Sequence, residues 1–151
     1  MNLIFEPEFN KPFRIVFYSC ILICNVAFGQ IIESNSIAAD STYVNYFEEA
    51  RISWISNLGL SYSEMEKSGI ILPVSKLNVQ YLKPAYFDDE LDVIVELDKI
   101  PTSRLIFNYI IKRENDIVVN GNTVLAFLNK KTKRPVRCPD YMLEKVIPLF
   151  K

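Results

Sequence analysis

Histidine is absent from all 151 residues of this chain. Without it no side chain has an ordinary pKa near neutrality, so Ser-His and Cys-His dyads and most zinc sites are excluded, and acid-base chemistry falls to carboxylates. Charge imbalance is missing too, since 17 Lys and Arg against 18 Asp and Glu leave a formal net charge of −1. With no global basic field to hold nucleic acid, any anion site has to be a local cluster. Cysteine is scarce. Cys20, Cys24 and Cys138 contain one C-x3-C pair, but no second pair and no histidine completes a ligand set. No metal and no cofactor are therefore expected, and the three are read as buried or partly buried thiols of a reducing compartment. Repeats, low-complexity tracts and linkers are lacking, and no apolar run is long and uniform enough for a membrane span.

Half of the residues are apolar and 23% are charged, the balance of one packed globular domain over residues 1–151. The first thirty residues admit two readings. Lys11 and Arg14 precede an apolar run from Ile15 to Phe28, and Ala27-Phe28-Gly29 before Gln30 has the spacing of a signal-peptidase site. Against this, Glu6 and Glu8 offset the positive end, and Tyr18, Ser19 and Asn25 interrupt a run rich in β-formers. The expectation is a buried first strand behind an N-terminal extension in a cytoplasmic protein. The alternative is an export signal over residues 11–30.

From Asp40 the pattern becomes helical, with Tyr43, Tyr46, Phe47, Ala50, Trp54, Ile55 and Leu58 recurring at three- and four-residue spacing. Asp40, Ser41 or Thr42 can cap the start and Gly59 the end. The polar positions Glu48, Glu49, Arg51 and Asn57 are expected to face solvent or another subunit. Ser61 with Glu64 forms a capping box for a short second helix that ends at Ser68-Gly69. Strands are expected over 71–82, 91–100, 104–113 and 117–128, separated by short polar turns that imply antiparallel neighbours. A last helix over 141–147 should stop at Pro148. One strand, one long helix and then antiparallel strands make an α+β plan, a sheet wrapped around a central helix.

Five segments carry a family resemblance. They are Tyr43-Val44-Asn45-Tyr46-Phe47-Glu48-Glu49-Ala50-Arg51, Leu58-Gly59-Leu60-Ser61-Tyr62, Ile71-Leu72-Pro73-Val74, Tyr81-Leu82-Lys83-Pro84-Ala85 and Asp88-Asp89-Glu90-Leu91. In order and spacing the chain resembles the 4-hydroxybenzoyl-CoA thioesterase-like group of hotdog-fold proteins from about Glu33 to Tyr141. The resemblance implies an acyl-CoA thioesterase, a homodimer or homotetramer that binds an acyl-CoA or acyl carrier protein thioester in a cleft between subunits. It implies one catalytic carboxylate ten residues before the tyrosine that opens the helix, which here is Glu33, acting as nucleophile or general base. The backbone N–H groups of Asp40 and Ser41 at the helix start would polarise the carbonyl.

The chain departs from the family turn. Glutamate stands in place of aspartate, Ser36 in place of glycine, Asp40 where an aromatic or histidine is common, and Thr42 in place of asparagine. A hotdog protein that only binds acyl thioesters, or has a structural role, is accordingly the alternative function. Glu48 and Glu49 are the reserve carboxylates. Tyr43 and Tyr81 are expected to line the substrate channel. Lys130, Lys131, Lys133, Arg134 and Arg137 could grip the phosphates of coenzyme A, with a solvated turn as the simpler reading. A third arrangement makes Phe13–Tyr18 the first strand and residues 19–40 an insertion, which removes the carboxylate from its family place.

Overall fold

The computed structural model describes residues 13–18, 40–86 and 89–150, of which residues 13–18, 40 and 41 are described in the backbone only. The readings attached to Cys20, Cys24, Glu33, Ser36, Asp88 and the apolar run beyond Tyr18 fall outside these residues.

The long helix α1 runs Asp40–Asn57. Tyr43, Phe47, Ala50, Trp54 and Ile55 are buried on its inner face, the stripe expected from their spacing. Its end is a left-handed cap. Gly59 sits at φ +68, its N–H reaches the Ser56 carbonyl at 2.9 Å and the Leu60 N–H reaches back to Ile55 at 3.3 Å. Helix α2, Tyr62–Lys67, starts as its capping residues foretell, with the Ser61 hydroxyl accepting from the Glu64 N–H at 3.1 Å.

The strands are β1 Phe13–Tyr18, β2 Ile70–Ile71, β3 Val74–Tyr81, β4 Glu90–Leu97, β5 Arg104–Arg113, β6 Asp116–Ala126 and β7 Leu128–Asn129. Five of them form one antiparallel sheet in the order β1-β4-β5-β6-β3, and β2 pairs with β7. The strand at the β4 edge is Phe13–Tyr18, with Phe13 opposite Val95 and Tyr18 opposite Glu90. This is the first strand of the third arrangement; residues 19–39, and with them the place of the Glu33 carboxylate, lie outside the described residues.

One other boundary differs from expectation. The strand expected over 71–82 breaks at Leu72-Pro73, because proline offers no N–H to the ladder. The Pro73 carbonyl still accepts from the Ala126 N–H at 3.1 Å, so β2 and β3 lie close to one path. The helix α3, Asp140–Val146, passes into a 3-10 turn over Ile147–Phe150 that includes Pro148. The α-helix thus stops before Pro148 as expected, within one residue of the expected bounds, and the proline is accommodated in the first turn of the 3-10 segment that follows.

Alternation along the strands aims Val93, Val95, Leu105, Phe107, Tyr109, Ile111, Thr123 and Leu125 at α1. Phe47 stacks on Tyr109 with ring centroids 4.3 Å apart, and Trp54 meets Phe107 edge-on at 5.1 Å. Gly121, opposite both Val79 and Tyr109, is the seat for Phe47. A Cβ there would lie 2.5 Å from two Phe47 ring carbons and 3.0 Å from the Asn78 carbonyl oxygen. Helix α1 approaches the sheet this closely only because β6 has no side chain at that point.

Candidate active site

The start of α1 is a cluster of aromatic rings beside the chain bend after β3. Tyr43 is buried, with its ring 5.8 Å from that of Tyr81 and 6.3 Å from that of Tyr46. Burial pushes the Tyr43 phenol above its ordinary range and Tyr46 adds to this, against a backbone hydrogen bond with Ala85. The phenol is therefore neutral at physiological pH. Tyr81 is half-exposed, and the two tyrosines expected to line a channel are in ring contact. An 18-residue helix begins here at Asp40, and the first N–H groups of a helix lack intrahelical partners and carry its positive dipole end.

Ion pairs brace the bend. Lys83 holds Asp116 at 2.6 Å, and Arg113 holds Asp89 at 2.7 Å. Asp89 also accepts from the Tyr86 N–H at 2.7 Å, and the Arg113 guanidinium lies over the Tyr86 ring at 5.8 Å. Burial works to raise the Asp89 carboxyl, but the Tyr86 N–H and Arg113 outweigh it and hold the group below its ordinary range. At neutral pH Asp89 is therefore ionised and its pair with Arg113 is in place beside the helix start.

The basic run lies elsewhere. It occupies a tight loop after β7, where the Asn129 side-chain oxygen accepts from the N–H groups of Lys131 at 2.9 Å and Thr132 at 3.0 Å. Lys133 adopts φ +57, and the Lys130 N–H is tied to the Gly69 carbonyl at 2.8 Å. Lys130 pairs with Glu66 at 3.4 Å. No carboxylate among the described residues pairs with Lys131, Lys133 or Arg134.

In one chain this loop and the Tyr43–Tyr81 pair stand at opposite ends of the sheet. Tyr81 is opposite Val119, whereas Val74 is opposite Leu125, close to the chain's exit into β7. Seven steps along β3 separate them by roughly 23 Å. Glu48 and Glu49 are exposed on α1.

One residue contradicts its expected place. Arg51 was expected to face solvent or a subunit, yet it is only 7% exposed. Its Nε donates to the Tyr62 hydroxyl at 3.1 Å, and Tyr109, whose hydroxyl pairs with Thr123 at 2.9 Å, adjoins it. Desolvation works to lower the guanidinium's pKa, but these phenols outweigh it and raise it. No carboxylate among the described residues pairs with it. A signal was available: position 51 is four residues after Phe47 and three before Trp54, on the buried stripe. Cys138 is buried as expected, and desolvation pushes its thiol up to about 12.

Residues 26–146 match the thioesterase-like superfamily. A provisionally named esterase of Aquifex aeolicus (strain VF5) is 30% identical over 112 residues, 74% of this chain and 86% of its own length. The crystal structure of DHNA-CoA thioesterase from Staphylococcus aureus is 32% identical and superposes with a TM-score of 0.66, covering 74% of this chain and 76% of its own. A second Staphylococcus aureus protein, solved in complex with CoA, superposes with a TM-score of 0.77 over 96% of this chain and 87% of its own. At 16% identity that likeness speaks for the fold alone.

Proposed function

The chain belongs to the thioesterase-like superfamily and has its hotdog fold, and from that premise we propose that it hydrolyses an acyl-CoA, or an acyl carrier protein thioester, to the free acid and thiol. The observation that carries the reading is the start of α1, where a helix terminus meets the buried Tyr43 and the half-exposed Tyr81 beside a braced bend. The thioester carbonyl is placed against the Asp40 and Ser41 N–H groups, which stabilise the developing oxyanion. Glu33, ten residues before Tyr43 in sequence, attacks the carbonyl as a nucleophile, expelling the thiolate to give a mixed anhydride that water then hydrolyses, or activates water as a general base; either role requires the segment before α1 to return this carboxylate to the helix start with Phe13–Tyr18 as the edge strand. Tyr43 and Tyr81 border the substrate. Lys131, Lys133 and Arg134 bind the phosphates, while Lys130 is engaged by Glu66.

This division requires a second subunit, because the loop and the tyrosines of one chain stand a strand's length apart. Strand β3 is an edge strand with Val74, Leu77 and Tyr81 exposed. Pairing it antiparallel with a second β3 brings the partner's basic loop to the Tyr43–Tyr81 end. Light scattering at micromolar concentration should give a multiple of two chains; a monomer there would remove the arrangement. Because its substrates are intracellular thioesters, we place the protein in the cytoplasm. Recovery of a mature form beginning at Gln30 from outside the cell would refute this.

The deciding experiment is thiol release from short, long and aromatic acyl-CoAs by the full chain and by Glu33→Gln. Loss of turnover on the order of a hundredfold or more in the variant supports the carboxylate role. Unchanged turnover removes Glu33 and leaves Glu48 and Glu49. A second reading, a protein that binds acyl thioesters without cleaving them, is favoured by the departures from the family turn at Ser36, Asp40 and Thr42. CoA binding with no thiol release from any substrate would select it.

A further inference from the structure

Strand β3 ends the five-stranded sheet on the side away from β1, and its pairing with β6 fixes which backbone groups it offers to a further strand. The Leu82 N–H donates to the Val118 carbonyl at 2.9 Å, one step beyond the pair in which Tyr81 faces Val119. In an extended strand the N–H and C=O of one residue point to the same side, and the side alternates along the chain. Leu82, Gln80, Asn78 and Lys76 therefore turn these groups toward β6, and Leu77, Val79 and Tyr81 turn theirs toward the open edge. The far side of β6 agrees: the Phe127 N–H donates to the Ser103 carbonyl at 3.1 Å, in step with the β5–β6 register, so odd-numbered residues there serve β5. The three outward residues of β3 also carry apolar side chains on the face that α1 covers. Val79 is opposite Gly121, the seat of Phe47, Leu77 is opposite the buried Thr123, and Tyr81 touches Tyr43. Leu77 is nevertheless 39% exposed and Tyr81 48%.

A second β3 joined through a two-fold axis must set outward residues against outward residues. An axis at Val79 does so for all three. Leu77 meets the partner's Tyr81, Val79 meets the partner's Val79 and Tyr81 meets the partner's Leu77, with about two hydrogen bonds per pair. An axis at Asn78 sets Tyr81 against the partner's Ser75, inside the irregularity between Val74 and Lys76. An axis at Gln80 sets Leu77 against the partner's Lys83, a residue whose N–H goes to Val118. An axis at Leu77 sets Tyr81 against the partner's Pro73, which has no N–H to give. On the outer face the Val79 axis opposes Asn78 to the partner's Gln80, amide to amide. It also lays the Lys76 stem over the partner's Leu82, a residue 46% exposed in the single chain. We infer that the axis passes through Val79, and that the partner's Leu77 thereby lands against Tyr81 as an apolar wall of the Tyr43–Tyr81 site, so that each site takes a substrate contact from both chains. The Leu77 of the same chain cannot serve, since four steps along β3 hold it roughly 13 Å from Tyr81. The inference rests on the thioesterase reading for its substrate and on β3 pairing, whose register it fixes.

The register is tested with two full-length variants, Asn78→Cys and Gln80→Cys, each adding one thiol on the exposed outer face. They are co-expressed, oxidised and digested, and linked peptides are identified by mass spectrometry. In the Val79 register positions 78 and 80 are directly opposite and non-hydrogen-bonded, with Cα atoms about 4.5 Å apart, inside disulfide reach. The mixture should give the bond between positions 78 and 80. Neither variant alone should link through its new thiol, because like positions stand about 8 Å apart on the diagonal. A bond between two positions 78 or two positions 80, or no bond among them in a chain that light scattering shows to be dimeric, overturns the register and leaves the paired assembly standing. A monomer removes both. For the wall, Leu77→Ala is assayed at a concentration where scattering shows the dimer. It should raise KM for acyl-CoAs about tenfold with kcat within about twofold, as loss of an apolar contact made equally in ground and transition states does. An unchanged KM removes Leu77 from the site. If wild type releases no thiol, the hydrolase reading fails separately, and the same loss is sought in the Kd of octanoyl-CoA, where an unchanged Kd removes the wall.

Discussion

Replacing Gly121 with alanine should destabilise the fold by overpacking α1 against the sheet. The added Cβ would lie 2.5 Å from Phe47 Cε2 and Cζ, well inside van der Waals contact, and 3.0 Å from the Asn78 carbonyl oxygen. Phe47 has nowhere to go: it is 1% exposed and its other face stacks on Tyr109 at 4.3 Å. Relief demands that α1 lift from the sheet or β6 move away from β3. Overpacking of this kind costs about 1–3 kcal/mol, and a ring confined on both sides with backbone behind it belongs at the upper end. For a domain of this size about 3 kcal/mol lowers Tm by about 6–12 °C. Thermal unfolding should be followed at one fixed protein concentration, because self-association adds to apparent stability. The companion is Phe47→Leu, whose side chain vacates the ring positions. In a double-mutant cycle Gly121→Ala should cost at least 1 kcal/mol less in the Phe47→Leu background, a coupling of about the size contacting residues show. A Gly121→Ala protein that melts within about 1 °C of wild type would refute the seat assigned to Phe47, as would strict additivity. Activity should fall with stability, because Phe47 and Tyr43 lie one turn apart on α1 and share its distance from the sheet.

Two further outcomes follow from titrating groups. Asp89 is held below its ordinary value of 3.8 by the Tyr86 N–H and Arg113. Its share of stability is therefore present above that value and lost as pH falls through the depressed one. Arg113→Met should flatten the acid limb of the stability profile, measured as urea midpoint against pH; an unchanged limb would show the pair to be inert. The Cys138 thiol, raised from 9.0 to about 12, stays protonated in the fold. It should resist iodoacetamide at pH 8 in native protein and react in urea, as read by mass spectrometry of its peptide. Stability should decline as pH rises above about 9, where the unfolded chain's thiol ionises first. Native alkylation at the unfolded rate would contradict its burial.

The helix over residues 40–57 and the cap at Ser61 were legible because their signals are local. Apolar residues three and four apart define a face, and a hydroxyl three residues before a glutamate can close a first turn. Membership of the family was legible for a related reason, since five short segments keep their order and spacing. The strand breaks were harder to read. Leu72-Pro73 separates two strands that look like one, because pattern shows which residues favour extension but not which partner each strand finds. The place of β1 was the clearest instance. Residues 13–18 and the apolar run after them have equal strand character, and only pairing with β4 chooses between them.

Local chemistry in the sequence determined the elements, their capping, the absence of histidine chemistry and the family. Tertiary structure decided what lies next to what. Arg51 is a charged residue by composition and a buried one by position, because its turn of α1 faces Tyr62 and Tyr109. The basic loop and the two tyrosines were grouped as one site by their chemistry, and the sheet separates them by a strand's length. Distances across a fold arise from strand register and helix packing, which depend on all of the side chains together, and no run of neighbouring residues encodes them.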